Sequence, residues 1–85
     1  MSMAVILTNE QREIVEKCGK FAQKFTENPA LLGSVSAIDH ARALIEEAYA
    51  AKIPEQATSG LRIYVAMHEQ NLMAPEHLRQ FKPLP

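Results

Sequence analysis

The chain has one cysteine, no tryptophan and no block of like charge among its 85 residues. One cysteine cannot close an internal disulfide, and this thiol and the three histidines show no zinc-ligand spacing. Nine basic residues stand against ten acidic ones, which disfavours duplex nucleic acid as a partner. The apolar N-terminal stretch is too short for a signal peptide or a membrane span. These absences predict a cytoplasmic protein without metal, cofactor or membrane partner.

The small size of the chain limits how it can be stabilised. A domain of this length buries only roughly 60–65% of the surface of its unfolded form, and a single small core rarely supplies more than about 3–5 kcal/mol. Hydrophobic residues nevertheless make up 47% of the sequence. Self-association is therefore the expected source of further stability. A monomeric three-helix bundle is the alternative.

Apolar residues recur at helical spacing in three segments, which is typical of amphipathic helices. These residues are Ile14, Cys18, Phe21 and Phe25, then Ile38, Ala41, Ile45 and Ala48, then Leu61, Tyr64, Val65, His68 and Leu72. Short connections between helices favour an antiparallel hairpin. We therefore predict an all-α fold in one domain, 1–85: an N-terminal helix plus a helical hairpin with short extra turns. An N-terminal arm, 1–7, and an extended tail, 82–85, flank it.

The first helix has a clear beginning and end. Thr8 and Gln11 form a Thr-x-x-Gln capping box, which predicts a helix from about Asn9 to Glu27. The Asn-Pro step that follows ends it, and Pro29–Leu32 is predicted to form one helical turn that Gly33 ends. Gly19 within the helix is either a tolerated residue or the mark of a close helix crossing.

The later boundaries rest on polar caps and prolines. Ser36 is predicted to cap a second helix that reaches Lys52. The third helix begins either at Pro54 or, capped by Thr58 or Ser59, a few residues later. A last short helix is predicted within 75–81.

Residues with catalytic potential do not form a recognisable constellation. Cys18 lies on the apolar stripe of the first helix, where a thiol usually behaves as a small hydrophobe. Asp39 and His40 are adjacent on a helix and point apart, and so do Glu46 and Glu47. We therefore expect no catalytic residues and no enzyme.

The first candidate binding cluster precedes the proline-initiated turn. Lys24, Thr26 and the free N–H groups after Pro29 could all donate to a phosphate. Phe21 and Phe25 could stack against a base, and Lys20 and Asn28 complete the cluster. The alternative interpretation is an ordinary charged helix surface.

The second candidate cluster lies on the third helix. Arg62, Tyr64 and His68 are residue types that stack on nucleobases or anchor protein interfaces. The alternatives are an interior contact for Tyr64 and a hydrogen-bonded core or interface position for His68.

A short chain with an N-terminal helix, a proline-marked break and an alanine-rich hairpin resembles the phage-encoded cyclic-nucleotide sponges that counter the bacterial CBASS defence. The resemblance implies a compact hexamer of interlocked protomers that is not an enzyme. It implies that cyclic di- or trinucleotides are bound in pockets between protomers, in the cytoplasm of the infected host.

The resemblance also implies roles for particular residues. Lys24 and Thr26 look like the lysine-x-threonine segment that contacts ligand phosphates in that family. In that family a polar or aromatic residue near the start of the first helix also contacts the ligand. Asn9 or Glu10 is nearest to that position here, and neither residue is aromatic. Arg62 corresponds to an arginine that serves the trinucleotide site.

The leading hypothesis is thus an oligomeric, non-enzymatic protein that sequesters an anionic small molecule, most concretely a cyclic oligonucleotide messenger. The main alternative is a helical interaction module, an inhibitor or adaptor, that docks a partner protein. A helical nucleic-acid-binding protein ranks last, because the third helix carries one arginine and the chain is slightly acidic.

Overall fold

The computed structural model describes residues 6–81, and within that range it contains helices and no strand. The elements are α1 (Asn9–Glu27), a 3₁₀ turn (Pro29–Gly33), α2 (Val35–Ala50), a 3₁₀ turn (Glu55–Thr58), α3 (Ser59–Met73) and a 3₁₀ turn (Glu76–Leu78). Each of the three α-helices packs against the other two. The all-α prediction is confirmed, whereas most of the predicted arm and all of the tail 82–85 lie outside the described residues.

Helix α1 has the predicted bounds and the predicted capping box. The Gln11 backbone N–H donates to Thr8 Oγ1 at 3.1 Å, and the Thr8 N–H donates to Gln11 Oε1 at 2.9 Å. The Gln11 side chain also donates to the Ala51 carbonyl at 2.8 Å, which ties the start of α1 to the end of α2. A Cβ placed on Gly19 meets nothing within 4 Å. Within the chain, Gly19 is therefore a tolerated residue and the close-crossing interpretation is wrong.

Helix α2 begins and ends earlier than predicted. Its cap is Ser34, whose Oγ accepts from the Ala37 N–H at 3.3 Å, and Ser36 lies inside the first turn. Ser34 takes this role because it is the extended residue, with φ −91° and ψ 113°, directly after the 3₁₀ turn. The helix ends at Ala50, and Lys52 has a φ of 59°. That left-handed conformation cannot continue the helix to Lys52.

Helix α3 is the shorter of the two alternatives. It begins at Ser59, after a 3₁₀ turn, so the interpretation with Pro54 as its first residue is wrong. Thr58 occupies the cap position without a capping hydrogen bond. Its hydroxyl donates to the Glu55 carbonyl at 3.3 Å and accepts from Arg62 Nε at 3.0 Å. Thr58 thereby fixes Arg62 against the turn.

The hydrophobic core lies between the three helices and the first 3₁₀ turn. Its buried members are Ile14, Cys18, Phe25, Leu32, Ile38, Ala41, Leu44, Ala48, Ile53, Leu61 and Val65. Phe21, Ile45 and Tyr64 are half-buried at its edge. The predicted apolar stripes therefore do form the core, with one exception on α3.

The exception is Leu72, which is 49% exposed, while the neighbouring Asn71 is buried. The Asn71 amide donates to the Phe81 carbonyl at 3.0 Å, and its Oδ1 accepts from the Gln80 N–H at 2.7 Å. These bonds compensate for the burial of a polar side chain, and they hold the C-terminal segment against α3.

In the described part of the chain, no helix is both long enough and apolar enough to cross a membrane.

Candidate functional site

The lysine-x-threonine segment does not form one surface. Lys24 lies beside α2, where its Nζ is 5.6 Å from the centroid of the Phe21 ring. Thr26 lies on the side of α3, where its hydroxyl hydrogen-bonds to the hydroxyl of Tyr64. Residues two positions apart on an α-helix project in nearly opposite directions. Within one chain, Lys24 and Thr26 therefore cannot hold the same phosphate.

Phe25, between them, belongs to the core. Its side chain is 1% exposed. Its ring stacks on Tyr64 at 5.4 Å and 24°, and it meets Phe21 edge-on at 5.3 Å and 82°. The prediction that Phe25 stacks on a nucleobase is wrong for the folded chain, because its ring is enclosed. Tyr64 also uses one ring face for this contact.

Asn28 is exposed at the end of α1, and its side chain does not cap the 3₁₀ turn that follows. Its backbone N–H donates to the Lys24 carbonyl at 2.9 Å. The Leu31 N–H donates back to the Asn28 carbonyl at 3.0 Å, and Pro29 has no N–H. The turn therefore offers a phosphate fewer donors than the sequence pattern predicts.

His68 is a core residue. It is 5% exposed, and its Nδ1 is 2.6 Å from the Leu32 carbonyl oxygen. Since a carbonyl only accepts, Nδ1 carries the proton and donates. His68 thus ties α3 to the first 3₁₀ turn, and the hydrogen-bonded core interpretation holds in place of ligand binding.

Arg62 lines a different side of the molecule from Tyr64, two residues away. It belongs to an open groove of about 340 Å³ between α2 and α3, which we call the arginine groove. The residues of the arginine groove are Arg42, Ile45, Glu46, Arg62, Val65, Ala66 and Glu69. Arg42 in this groove pairs with Glu69 at 3.2 Å and with Asp39 at 3.5 Å.

Asn9 is exposed at the first position of α1. It precedes Lys24 by fifteen residues on the same helix, a separation of about 22 Å at the usual rise per residue. Asn9 and Lys24 of one chain therefore cannot contact one small ligand. The predicted site residues do not converge within a single copy.

A more coherent site lies between α1 and α2, in an open groove of about 420 Å³ that we call the lysine groove. Its residues are Lys17, Lys20, Phe21, Lys24, His40, Leu44 and Glu47. Three lysines and one glutamate give it a net charge of +2 when His40 is neutral (3 − 1 = 2). Pockets of this size accommodate small-molecule ligands.

The geometry of the lysine groove combines cations with flat rings. The rings of Phe21 and His40 lie 4.7 Å apart at 45° and join α1 to α2. Lys24 approaches the Phe21 ring as a cation–π pair. Lys17 Nζ is 3.9 Å from Glu47 Oε1, at the edge of a salt-bridge contact between exposed side chains. Such surface pairs are weak, so the lysines can turn toward an anion.

The sequence pattern predicted three of these residues, Lys20, Phe21 and Lys24, and missed Lys17 and the residues that α2 supplies. The signal is the spacing of Lys17, Lys20 and Lys24, at steps of three and four, which places three ammonium groups along one side of a helix. His40 has no such signal, because only the packing of α2 against Phe21 brings it there.

Cys18 lies behind the groove in the core, with Sγ 3.9 Å from the Leu44 carbonyl. Burial raises the pKa of its thiol, the Glu47 carboxylate adds to the rise, and Arg62 opposes it. The thiol is therefore protonated and unreactive at neutral pH. Among residues 6–81, no group of three or more histidine, cysteine or acidic side chains is arranged to hold a metal ion.

Comparison of the chain with protein-family models, with curated proteins and with solved structures finds no match.

Proposed function

We propose that this chain is a non-enzymatic, oligomeric binding protein that sequesters an anionic small molecule in the lysine groove. The most concrete ligand is a cyclic di- or trinucleotide messenger of bacterial anti-phage defence, captured in the host cytoplasm by a phage-encoded protein. The observation that carries the proposal is an open groove lined by Lys17, Lys20 and Lys24 together with the rings of Phe21 and His40.

Each part of the groove has a role in capture. Lys20 and Lys24 neutralise phosphate oxygens through charge-assisted hydrogen bonds, and Lys17 adds a third cation at the edge. The rings of Phe21 and His40 are tilted by 45° to each other, and either one provides a π-face for a base. Capture is stoichiometric and breaks no bond, so the affinity and the number of sites determine how much messenger is removed.

Isothermal titration against a panel of cyclic di- and trinucleotides tests the proposal. We expect saturable heat with at least one member, and a large loss of affinity in the Lys20→Gln/Lys24→Gln variant. Arg12→Gln is the matched control, because it removes an exposed cation of the same helix outside the groove. Absence of heat with every member at tens of micromolar protein, or equal loss in both variants, would contradict the proposal.

An interaction module remains the second candidate, and the outward side of α3 favours it. Ile63 is 59% exposed, Met67 38% and Met73 87%. An apolar surface of this kind usually contacts another protein chain. A partner that binds a monomeric form of this chain, in the absence of any anion binding, would favour the adaptor function.

A further inference from the structure

The side of α3 that faces away from the core is apolar and free of charge. We call it the α3 outer face, and its residues are Ser59, Ile63, Ala66, Met67 and Gln70. Met67 and Gln70 also border a groove beside Leu78 and Phe81 of the C-terminal segment. Ile63 and Met67 each stand two positions from the buried Val65, so they project to the opposite side of the helix. Of these residues, Ile63 and Met67 are 59% and 38% exposed. Helix α3 is therefore apolar on two sides, and the residues that the structure describes bury only the side that faces the core.

We propose that the α3 outer face binds the same face of a second copy, antiparallel, about a two-fold axis beside Ala66. The proposal concerns self-association and does not depend on the ligand of the lysine groove. The partner is a second copy because the side chains along this face and its edge complement themselves under a two-fold rotation.

The edge of the face supplies the charge complementarity. Arg62 and Glu69 are seven residues apart, or about two helical turns, and therefore lie along the same edge. In an antiparallel two-fold pair, each edge meets its own copy in reverse order. A register centred midway between the two residues places Arg62 of each copy beside Glu69 of the other, twice. These are the interhelical pairs that set register and orientation in coiled coils.

Both side chains have hydrogen-bonding capacity left for such a contact. Arg62 uses Nε to donate to Thr58, and this bond leaves the terminal nitrogens of its guanidinium. Glu69 uses Oε1 to accept from Arg42 and retains Oε2. The intramolecular contacts thus hold Arg62 and Glu69 in place without exhausting their donors and acceptors.

The same register also matches the apolar residues. This register has its centre between positions 65 and 66. It places Ile63 of each copy next to Met67 of the other. Ala66 then meets Ala66 at the axis, where a small side chain permits close approach of the two helices. One register therefore satisfies two ion pairs and three apolar contacts, and a charged partner surface would gain nothing from the centre of this face.

Sedimentation equilibrium tests the association itself. We expect the wild-type chain to form dimers or a higher even-numbered assembly. Met67→Glu should weaken association at least about 30-fold, because it places two carboxylates in an apolar interface. Tyr49→Glu is the control, since Tyr49 is an exposed apolar residue on α2 and its replacement should leave association unchanged. A 9.5 kDa particle at the highest attainable concentration, or equal effects of both substitutions, would overturn the proposal.

Charge reversal tests the register. Arg62→Glu and Glu69→Arg should each weaken association, since each brings like charges together, and the double reversal should restore it. Circular dichroism checks that every variant is folded. If the double variant associates no better than the single variants, the proposed pairing of Arg62 with Glu69 is wrong.

Crosslinking tests the axis. Ala66→Cys should form an intermolecular disulfide with oxidised glutathione as the oxidant, whereas Ala43→Cys, at an exposed alanine of α2, should not. The buried Cys18 contributes to neither product. Equal crosslinking of the two variants would contradict a two-fold axis at Ala66.

Discussion

The lysine groove and the arginine groove share α2 as a common wall, yet only one of them has the charge of an anion site. The lysine groove has three cations against one carboxylate. The arginine groove has two cations against two carboxylates, which cancel (2 − 2 = 0). Arg42 is also engaged by Glu69 and Asp39. A count of cations therefore does not identify an anion site unless their partners are counted too.

The two grooves also differ in the surface beneath the charges. The uncharged lining of the lysine groove consists of the rings of Phe21 and His40 together with Leu44. The uncharged lining of the arginine groove consists of Ile45, Val65 and Ala66, which are all aliphatic. Flat rings suit a nucleobase, whereas aliphatic side chains suit another helix. This difference supports our two proposals, a small ligand in the lysine groove and a subunit contact beside the arginine groove.

The largest expected effect is on the stability of the core, on which both grooves depend. Phe25→Ala removes a ring that is 1% exposed and contacts Phe21 and Tyr64. We expect it to lower the free energy of unfolding by about 3–5 kcal/mol, most of what a small domain has. Urea unfolding followed by circular dichroism measures the loss.

Phe21→Ala is the matched control for Phe25→Ala. Phe21 is half-buried, so its replacement should lower the free energy of unfolding by roughly 1–3 kcal/mol. The variant should remain folded and lack the Phe21 ring in the lysine groove. Equal destabilisation by the two substitutions would mean that Phe21 belongs to the core rather than to the lysine groove.

The second effect contrasts the two grooves directly. Replacing Lys17, Lys20 and Lys24 together by Gln should lower the affinity for a phosphate-bearing ligand about 100-fold or more, since each charge-assisted hydrogen bond contributes about 1.5–3 kcal/mol. Replacing Arg42 and Arg62 by Gln should change it less than about 3-fold, because these residues lie outside the site and exposed charges at a distance are screened.

Titration calorimetry at two salt concentrations measures this contrast. The wild-type affinity should fall as salt increases, and the triple-lysine variant should have lost that dependence. A larger loss in the arginine variant than in the lysine variant would reverse the assignment of the two grooves.

The third effect separates stability from binding. His68→Leu leaves the Leu32 carbonyl without its donor in the core, and an unpaired buried acceptor costs about 1–3 kcal/mol. Since neither residue lines either groove, the affinity of the folded variant should equal that of the wild type. Chemical unfolding and calorimetry on the same sample measure both quantities. A weakened affinity in fully folded His68→Leu would show that the site extends into the core beside the first 3₁₀ turn.

Local sequence signals predicted the fold well where the determinant lies within a few residues. The Thr8–Gln11 capping box and the proline after Asn28 are such determinants, and α1 has the predicted bounds. The cap of α2 was misplaced because Ser34 and Ser36 are both good caps. Ser34 becomes the cap because the preceding 3₁₀ turn ends directly before it. Where that turn ends depends on how Leu32 packs in the core, which is not a local signal.

The candidate site was less predictable because its residues come from two helices. The segment from Lys24 to Thr26 is contiguous in sequence, but its middle residue, Phe25, is buried in the core. The side chains of Lys24 and Thr26 therefore point in different directions. The contact of His40 with Phe21 depends on the relative rotation of α1 and α2. Periodicity determines neither the burial of Phe25 nor the relative rotation of α1 and α2. Composition and spacing therefore predicted an anion site on α1 without predicting the residues that α2 contributes.

The smallest expected effect sharpens the comparison from the opposite side of α1. Gly19 stands two positions from Lys17 and therefore projects away from the lysine groove. A Cβ at Gly19 meets no atom within 4 Å, and the backbone there has no positive φ. Gly19→Ala should therefore raise the free energy of unfolding by roughly 0.5–1 kcal/mol through helix propensity and a less flexible unfolded chain.

That gain corresponds to a rise in Tm of a few degrees, about 4–8 °C per kcal/mol for a domain of this size, with ligand affinity unchanged. Gly60→Ala is the control, since its Cβ would lie 3.8 Å from the Ala22 Cβ, an ordinary contact near the start of α3. Helix propensity counts for less there than in the middle of α1, so its gain should be smaller. If Gly19→Ala instead lowered Tm, a second chain would have to approach α1 at Gly19, and the close-crossing interpretation would return as a contact between copies.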